Sequence, residues 1–152
     1  MKKIVAFTLV LVMVLTLAAT AFADYYPTVS FGTKNKIVKY GKTYTMKIKC
    51  KQGTGPFNRV LGSNYSWIWR AGFTVYAKKG SAFNEKIEDV DFTGNPTSIS
   101  KFNTKTTFLK PSLGGVHTYK LTATSYYRPT IGYTVYAWRA YKSVSTKLYI
   151  YR

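Results

Sequence analysis

Residues 43–51 read TYTMKIKCK, and the apolar members Tyr44, Met46, Ile48 and Cys50 take every second place. Thr45, Lys47, Lys49 and Lys51 fill the places between. Successive side chains of a strand point to opposite faces, so this stretch predicts a half-buried strand with a basic solvent face. The rhythm recurs in HTYKLTATS, residues 117–125, where Tyr119, Leu121 and Ala123 alternate with Thr118, Lys120, Thr122 and Thr124. Near the end, Leu148 and Ile150 alternate with Lys147, Tyr149 and Tyr151. Turn signals separate such runs: Tyr40-Gly41-Lys42, the Gly53–Pro56 cluster, Lys79-Gly80-Ser81, Gly94-Asn95-Pro96, Gly114-Gly115 and Arg128-Pro129. Beyond the N-terminal apolar run, no segment carries a sustained helical stripe. The pattern predicts an all-β domain of roughly seven to nine short strands in two packed antiparallel sheets.

Two octapeptides sharpen that picture. GFTVYAKK at 72–79 and GYTVYAWR at 132–139 share a glycine, an aromatic, Thr-Val-Tyr-Ala and a terminal cation. Their flanks, NYSWIWRAG and SYYRPTIG, do not align, so a long duplication is unsupported. Alternation alone predicts two similar strands, with the aromatic, Val and Ala on one face. The sharper alternative is a pair of strands displaying Tyr76 and Tyr136, with Lys78 and Trp138 respectively, as a repeated aromatic and cationic surface.

The first residues follow another logic. Lys2 and Lys3 precede an apolar run from Ile4 to Leu17, and Ala21-Phe22-Ala23 has the small-x-small form of a signal-peptidase site. Residues 1–23 therefore read as a cleaved secretory signal peptide, with a single domain over 24–152. The run is short for a retained spanning helix. Export is the expected localisation, with association to the cell wall open. Without Lys2 and Lys3 the 23 cations become 21, which against five acids leaves a net charge of +16. Such a surface attracts polyanions at long range and weakens with salt. Most of the cations are lysine, a hydrated point charge and not a planar fork. That favours an anionic wall polymer, an acidic glycan or peripheral contact with a membrane over specific nucleic-acid reading.

Two segments resemble bacterial immunoglobulin-like surface domains. VKYGKTYTMKIKC, residues 38–50, is similar to the turn and second strand of that fold, and TFLKPSLGGVHTYKLTATS, residues 107–125, to its penultimate-strand region. The resemblance implies an immunoglobulin-like β-sandwich, with Tyr119 as the corner tyrosine and Leu121 at the place of the second Cys of antibody domains. Cys50 would match the first Cys, and Trp67 or Trp69 the core Trp. Many unrelated functions share this pattern, so it implies a fold and no activity.

Candidate binding residues come from aromatics beside cations. Tyr65, Trp67 and Trp69 alternate in YSWIWR, and Trp138 and Arg139 close the second octapeptide. Flat aromatic faces suit sugar rings, and nearby cations suit acidic ones; the competing role for each ring is core or boundary packing. The candidate ligand-binding set is Tyr65, Trp69, Tyr76, Tyr136, Trp138 and Arg139. Lys47, Lys49 and Lys51, with Lys34, Lys36, Lys39 and Lys42 before them, supply electrostatic attraction. Asp89-x-Asp91-x-Thr93-Gly94 matches the first half of a calcium loop, but Ser100 stands where its bidentate Glu belongs. Surface pairing with lysine is the plainer role for these acids.

Catalysis finds little support. His117 is the sole histidine and Cys50 the sole cysteine, and all acids but Asp24 fall within 85–91. A nucleophile needs a base within reach, and glycosidases need two flanking carboxylates. Cys50 falls on the apolar side of its strand, as a small hydrophobe. No cofactor is called for. The expectation is an exported, non-catalytic binding or adhesion module for anionic envelope polymers or glycans. The alternatives are a carbohydrate-binding module with an aromatic platform, or a cationic antibacterial, toxin-like protein.

Overall fold

A computed structural model describes residues 25–53, 67–92, 97–131 and 133–152. The expected export segment, residues 1–23, lies outside them, as do Tyr65 and Thr93. Strands β1 (Thr28–Phe31), β2 (Lys36–Lys39), β3 (Thr43–Lys51), β4 (Trp67–Lys79) and β5 (Phe83–Phe92) come first. Then follow β6 (Thr97–Asn103), a single helical turn α1 (Thr104–Thr107), β7 (Val116–Ile131), β8 (Thr134–Val135) and β9 (Arg139–Tyr151).

The strands form two sheets. One has three strands in the order β1-β3-β6; the other has six, five of them in the order β2-β9-β7-β4-β5 and the sixth, β8, pairing β7. Neighbours run antiparallel except β2 and β9, which are parallel. The chain therefore changes sheets between β1 and β2. Gly32 sits close over β3 there, its N–H donating to the Lys47 carbonyl at 2.8 Å. Asn35 takes a positive φ of 48° in the same crossing, a conformation that Asn tolerates better than most side chains.

Burial follows the alternation. In β3, Tyr44, Met46, Ile48 and Cys50 are buried and the residues between them exposed. Facing them from the second sheet are Phe73, Val75 and Ala77 of β4, Tyr119, Leu121 and Ala123 of β7, and Leu148 and Ile150 of β9. All belong to one continuous core. Each fully buried aliphatic side chain contributes about 1.5–3 kcal/mol relative to exposure.

Tyr119 anchors one end. Fully buried, its hydroxyl accepts the Leu109 N–H at 3.0 Å and lies 3.5 Å from the Leu109 carbonyl. The rings of Phe108 and Tyr119 are 4.7 Å apart, and Phe83 packs on both. α1 closes the same end. The Asn103 side chain caps it by accepting the Lys105 N–H at 2.9 Å, and the buried Thr104 hydroxyl sits 2.8 Å from the Lys42 carbonyl. The opposite end is closed by tyrosines, with Tyr26 stacked on Tyr127 at 4.3 Å and tilted against Tyr141 at 5.0 Å.

Two sequence expectations change. Not all strands are short: β4 and β9 have 13 residues and β7 has 16. The octapeptides are not two similar strands. The first is the C-terminal part of β4, with Phe73, Val75 and Ala77 buried, whereas the second forms the β8 return into β9, where residues 133–139 are all exposed. A hairpin tip has no partner layer above it, so the same alternation buries nothing there. Glu85–Asp91 lies on β5, which among the described residues pairs on one side only, and an edge tolerates charges that block further strand addition. The core-tryptophan expectation rests on Trp67 and Trp69, of which the main-chain register alone is described.

Leu121→Ala is expected to destabilise by about 2–5 kcal/mol through the cavity it leaves. Tyr119→Phe should cost about 0.5–1.5 kcal/mol because it removes the part-buried hydrogen bond from the Leu109 N–H. Urea midpoints of both variants check this; a neutral Tyr119→Phe would mean that water satisfies Leu109.

Candidate functional site

The inner faces are apolar, so polar chemistry collects on the two outer faces. On the outer face of the six-stranded sheet, the register places Lys78 of β4 opposite Lys120 of β7, and Lys120 opposite Lys147 of β9. Asn84 of β5 stands on the other side of Lys78. At the far end, Asn35 accepts the Lys147 N–H at 3.4 Å and donates its own to the Thr146 hydroxyl at 2.9 Å. Asn35, Lys78, Lys120 and Lys147, with Lys79, Thr118, Ser145 and Thr146, line an open recess of about 400 Å³.

Hydroxyls continue along the same strands. Thr122 and Ser145 are 3.1 Å apart, and Thr124 and Ser143 2.8 Å apart, each pair bridging β7 and β9. Beyond them lies a second recess of about 310 Å³, lined by Gly72, Thr74, Asp89, Asp91, Tyr126 and Trp138. Six residues of β4 separate Lys78 from Gly72, about 20 Å of extended chain.

The second recess depends on Gly72. A Cβ there would lie 2.9 Å from the Val90 carbonyl and 3.0 Å from Asp91 Oδ1, so only glycine lets β5 and the Asp91 carboxylate come so close. Trp138 supplies an aromatic wall, 38% exposed, with the Arg128 guanidinium 5.8 Å from its ring centroid. Asp89 is bound to Lys86 at 2.6 Å, which holds the Lys86 pKa above its ordinary value. The Thr74 hydroxyl is buried without a hydrogen-bond partner.

The expected site residues disperse over this frame. Tyr76, 41% exposed, lies on the outer face between the two recesses, opposite Lys86 and Thr122. Trp138 is in the second recess, and Tyr136 and Arg139 flank it, exposed. Trp69 is opposite Pro129 in register. Lys47, Lys49 and Lys51 point outward from β3, on the other side of the molecule from Trp138; Lys101 of β6 stands opposite Thr45 on that sheet. The electrostatic strip and the aromatic residues therefore do not form one surface. Asp89 and Asp91 are on the extended strand β5, and no cluster of three His, Cys, Asp or Glu side chains gathers among the described residues.

Sequence reasoning missed Lys120, Lys147, Tyr126 and Arg128 as site members. Lys120 and Lys147 did occupy solvent positions in alternating runs, but their adjacency depends on strand register.

Cys50 and His117 sit at opposite ends. His117 Nδ1 is 3.3 Å from the Leu109 carbonyl, near Tyr119, while Cys50 lies opposite Val29, six residues along β3 from Tyr44. Burial pushes the Cys50 thiol up to about 12 from 9.0, and raises the Tyr44 and Tyr119 hydroxyls in the same direction.

No protein-family model matches the chain, and neither a characterised protein nor a solved structure matches it.

The raised Cys50 pKa sets an alkaline limit. Below the unfolded value of 9.0 both states are protonated and the stabilisation is whole; it is lost as pH rises toward about 12, because the unfolded chain ionises first. Urea midpoints should fall from pH 9 upward, and less so in Cys50→Ala. At pH 8 a thiol reagent should label Cys50 only after denaturation; rapid labelling of the native protein would contradict its burial.

Proposed function

We propose that the chain is an immunoglobulin-like β-sandwich acting as an exported, non-catalytic binding or adhesion module for an anionic glycan or cell-envelope polymer. Several features support the fold assignment. The strand order β1-β3-β6 against β2-β9-β7-β4-β5 matches the division of an immunoglobulin-like sandwich, with its first strand shared between sheets. The Tyr119 hydroxyl reaches back to the Leu109 backbone in the manner of that fold's tyrosine corner.

One observation carries the functional reading: a lysine recess, a hydroxyl ladder and a tryptophan recess lie in sequence along one sheet face. Such a face offers a linear polymer charge at one end, hydrogen bonds along its length and a ring for stacking at the other. The separate strip of Lys47, Lys49 and Lys51 adds long-range attraction, and with it a dependence on salt. Residues 1–23 would be the leader that delivers the protein outside the cell.

A second reading has its own observation. The β8 return exposes Tyr133 completely and Val135 by half, next to Arg139. Aromatics beside cations suit the interface of an anionic membrane. Sedimentation with anionic vesicles, lost in Tyr133→Ser, favours that contact.

A glycan and wall-polymer binding screen at low and high salt tests the principal reading. Trp138→Ala is expected to weaken binding by about tenfold (~1.4 kcal/mol) at either salt concentration. Replacing Lys47, Lys49 and Lys51 by Gln should reduce the salt dependence and leave ligand choice unchanged. Equal loss from both variants, proportional only to charge, would reduce the protein to a nonspecific cation.

A further inference from the structure

We infer that the recess at Lys78, Lys120 and Lys147 is a subsite for a tetrahedral oxyanion: a phosphate or sulfate group borne by a polymer. The inference deepens the proposed binding role, and rests on it only for the polymer that carries the group.

Three lysines in direct register on adjacent strands are a costly arrangement. Like charges opposite one another on a sheet face destabilise the pair, and here Lys120 is opposed on both sides. The described acids offer no relief within the row. Glu85, Glu88, Asp89 and Asp91 all lie on β5, and the β5 residue opposite Lys78 is Asn84. All three lysines are exposed, and they share one shallow, open recess of about 400 Å³. An anion held there offsets the mutual repulsion of all three ammonium groups at once.

The donors select the kind of anion. Lys78, Lys120 and Lys147 provide several N–H donors, Lys79 borders the same recess, and Thr118 and Ser145 add hydroxyls. A carboxylate presents two oxygens and one charge. A sulfate ester presents three terminal oxygens, and a phosphate monoester three with close to two charges, which meets the lysines more completely. Asn35 finishes the rim: its main chain and side chain are tied to β9 at Thr146 and Lys147, so this wall is fixed before a ligand arrives. Arginine would grip a planar carboxylate with its fork, and the described lining contains none.

Lys120→Gln and Lys49→Gln test the inference, since each removes one charge, the first from the centre of the row and the second from the opposite face. Inorganic phosphate and sulfate are titrated against chloride at matched ionic strength, with the thermal midpoint and backbone amide shifts as readouts. Phosphate should raise the midpoint of the unmodified protein and of Lys49→Gln, moving the amides of Lys78, Lys120 and Lys147. Lys120→Gln should bind phosphate about tenfold more weakly, whereas Lys49→Gln should change by about twofold or less. Without added anion, Lys120→Gln should melt higher than the unmodified protein, because two opposed like-charge pairs are gone. Lys147→Gln serves as a second variant with the same expectations should Lys120→Gln not fold.

Equal responses of the two variants, or a phosphate effect no larger than that of chloride, would overturn the subsite. A polymer arm compares a glycan bearing phosphate monoesters, a sulfated glycan and a polyuronate of similar length. Preference for either of the first two over the polyuronate is expected and identifies the carrier; equal binding of the polyuronate overturns the tetrahedral preference. If Trp138→Ala abolishes polymer binding while Lys120→Gln does not, the binding face stands and the oxyanion subsite falls. The converse leaves an anion site without the ring-stacking role.

Discussion

One core serves both sheets, and that constraint shapes everything else. A strand that gives alternate residues to the core must give the rest to water. In this chain the core positions are taken by Tyr44, Met46, Ile48, Phe73, Val75, Tyr119, Leu121, Leu148 and Ile150. Lysine, threonine and serine are left with two outer faces, whose contents are fixed by register. The pairing that sets Tyr119 beside Leu148 inside also sets Lys120 beside Lys147 outside. Hydrophobic burial thus enforces an electrostatic cost on the other side of the same backbone.

The two outer faces serve different physical ends. The three-stranded sheet carries Lys47, Lys49 and Lys51 along one strand with no described recess, a suitable source of screened attraction. The six-stranded sheet carries concave features of opposite character, one lysine-lined and the other built on Gly72, Asp91 and Trp138. In the proposed binding role the separation would matter, because diffuse attraction raises the encounter rate without selecting a ligand, whereas concave sites can discriminate. The tyrosine-rich end, where Tyr26 packs on Tyr127 and Tyr141, holds β7 and β9 together close to the Trp138 return.

Cys50 illustrates how the core limits reactivity. Its thiol sits beside Val29 in a fully apolar layer, and burial holds it protonated well past neutral pH. A nucleophile requires the reverse environment, electropositive and partly open. His117, on β7 at the other end of the sandwich, lies 3.3 Å from the Leu109 carbonyl near Tyr119.

Alternation in TYTMKIKCK and HTYKLTATS was enough to name the strands, their buried faces and the place of Tyr119, because period two is a local property that any burial partner will exploit. It was also enough to keep Cys50 inside. Local pattern failed at GYTVYAWR, whose residues alternate like those of GFTVYAKK yet face only solvent, because no layer covers a hairpin tip. At EKIEDVDF the charges sit on an edge strand, and Asp89 pairs with Lys86. Lys78, Lys120 and Lys147 are 42 and 27 residues apart in sequence, and nothing local relates them. Their convergence was decided only by strand order and register, which depend on how distant apolar faces interlock across the core. The same long-range packing brought Trp138 over Gly72 and put the Lys47–Lys51 strip on the far side of the molecule.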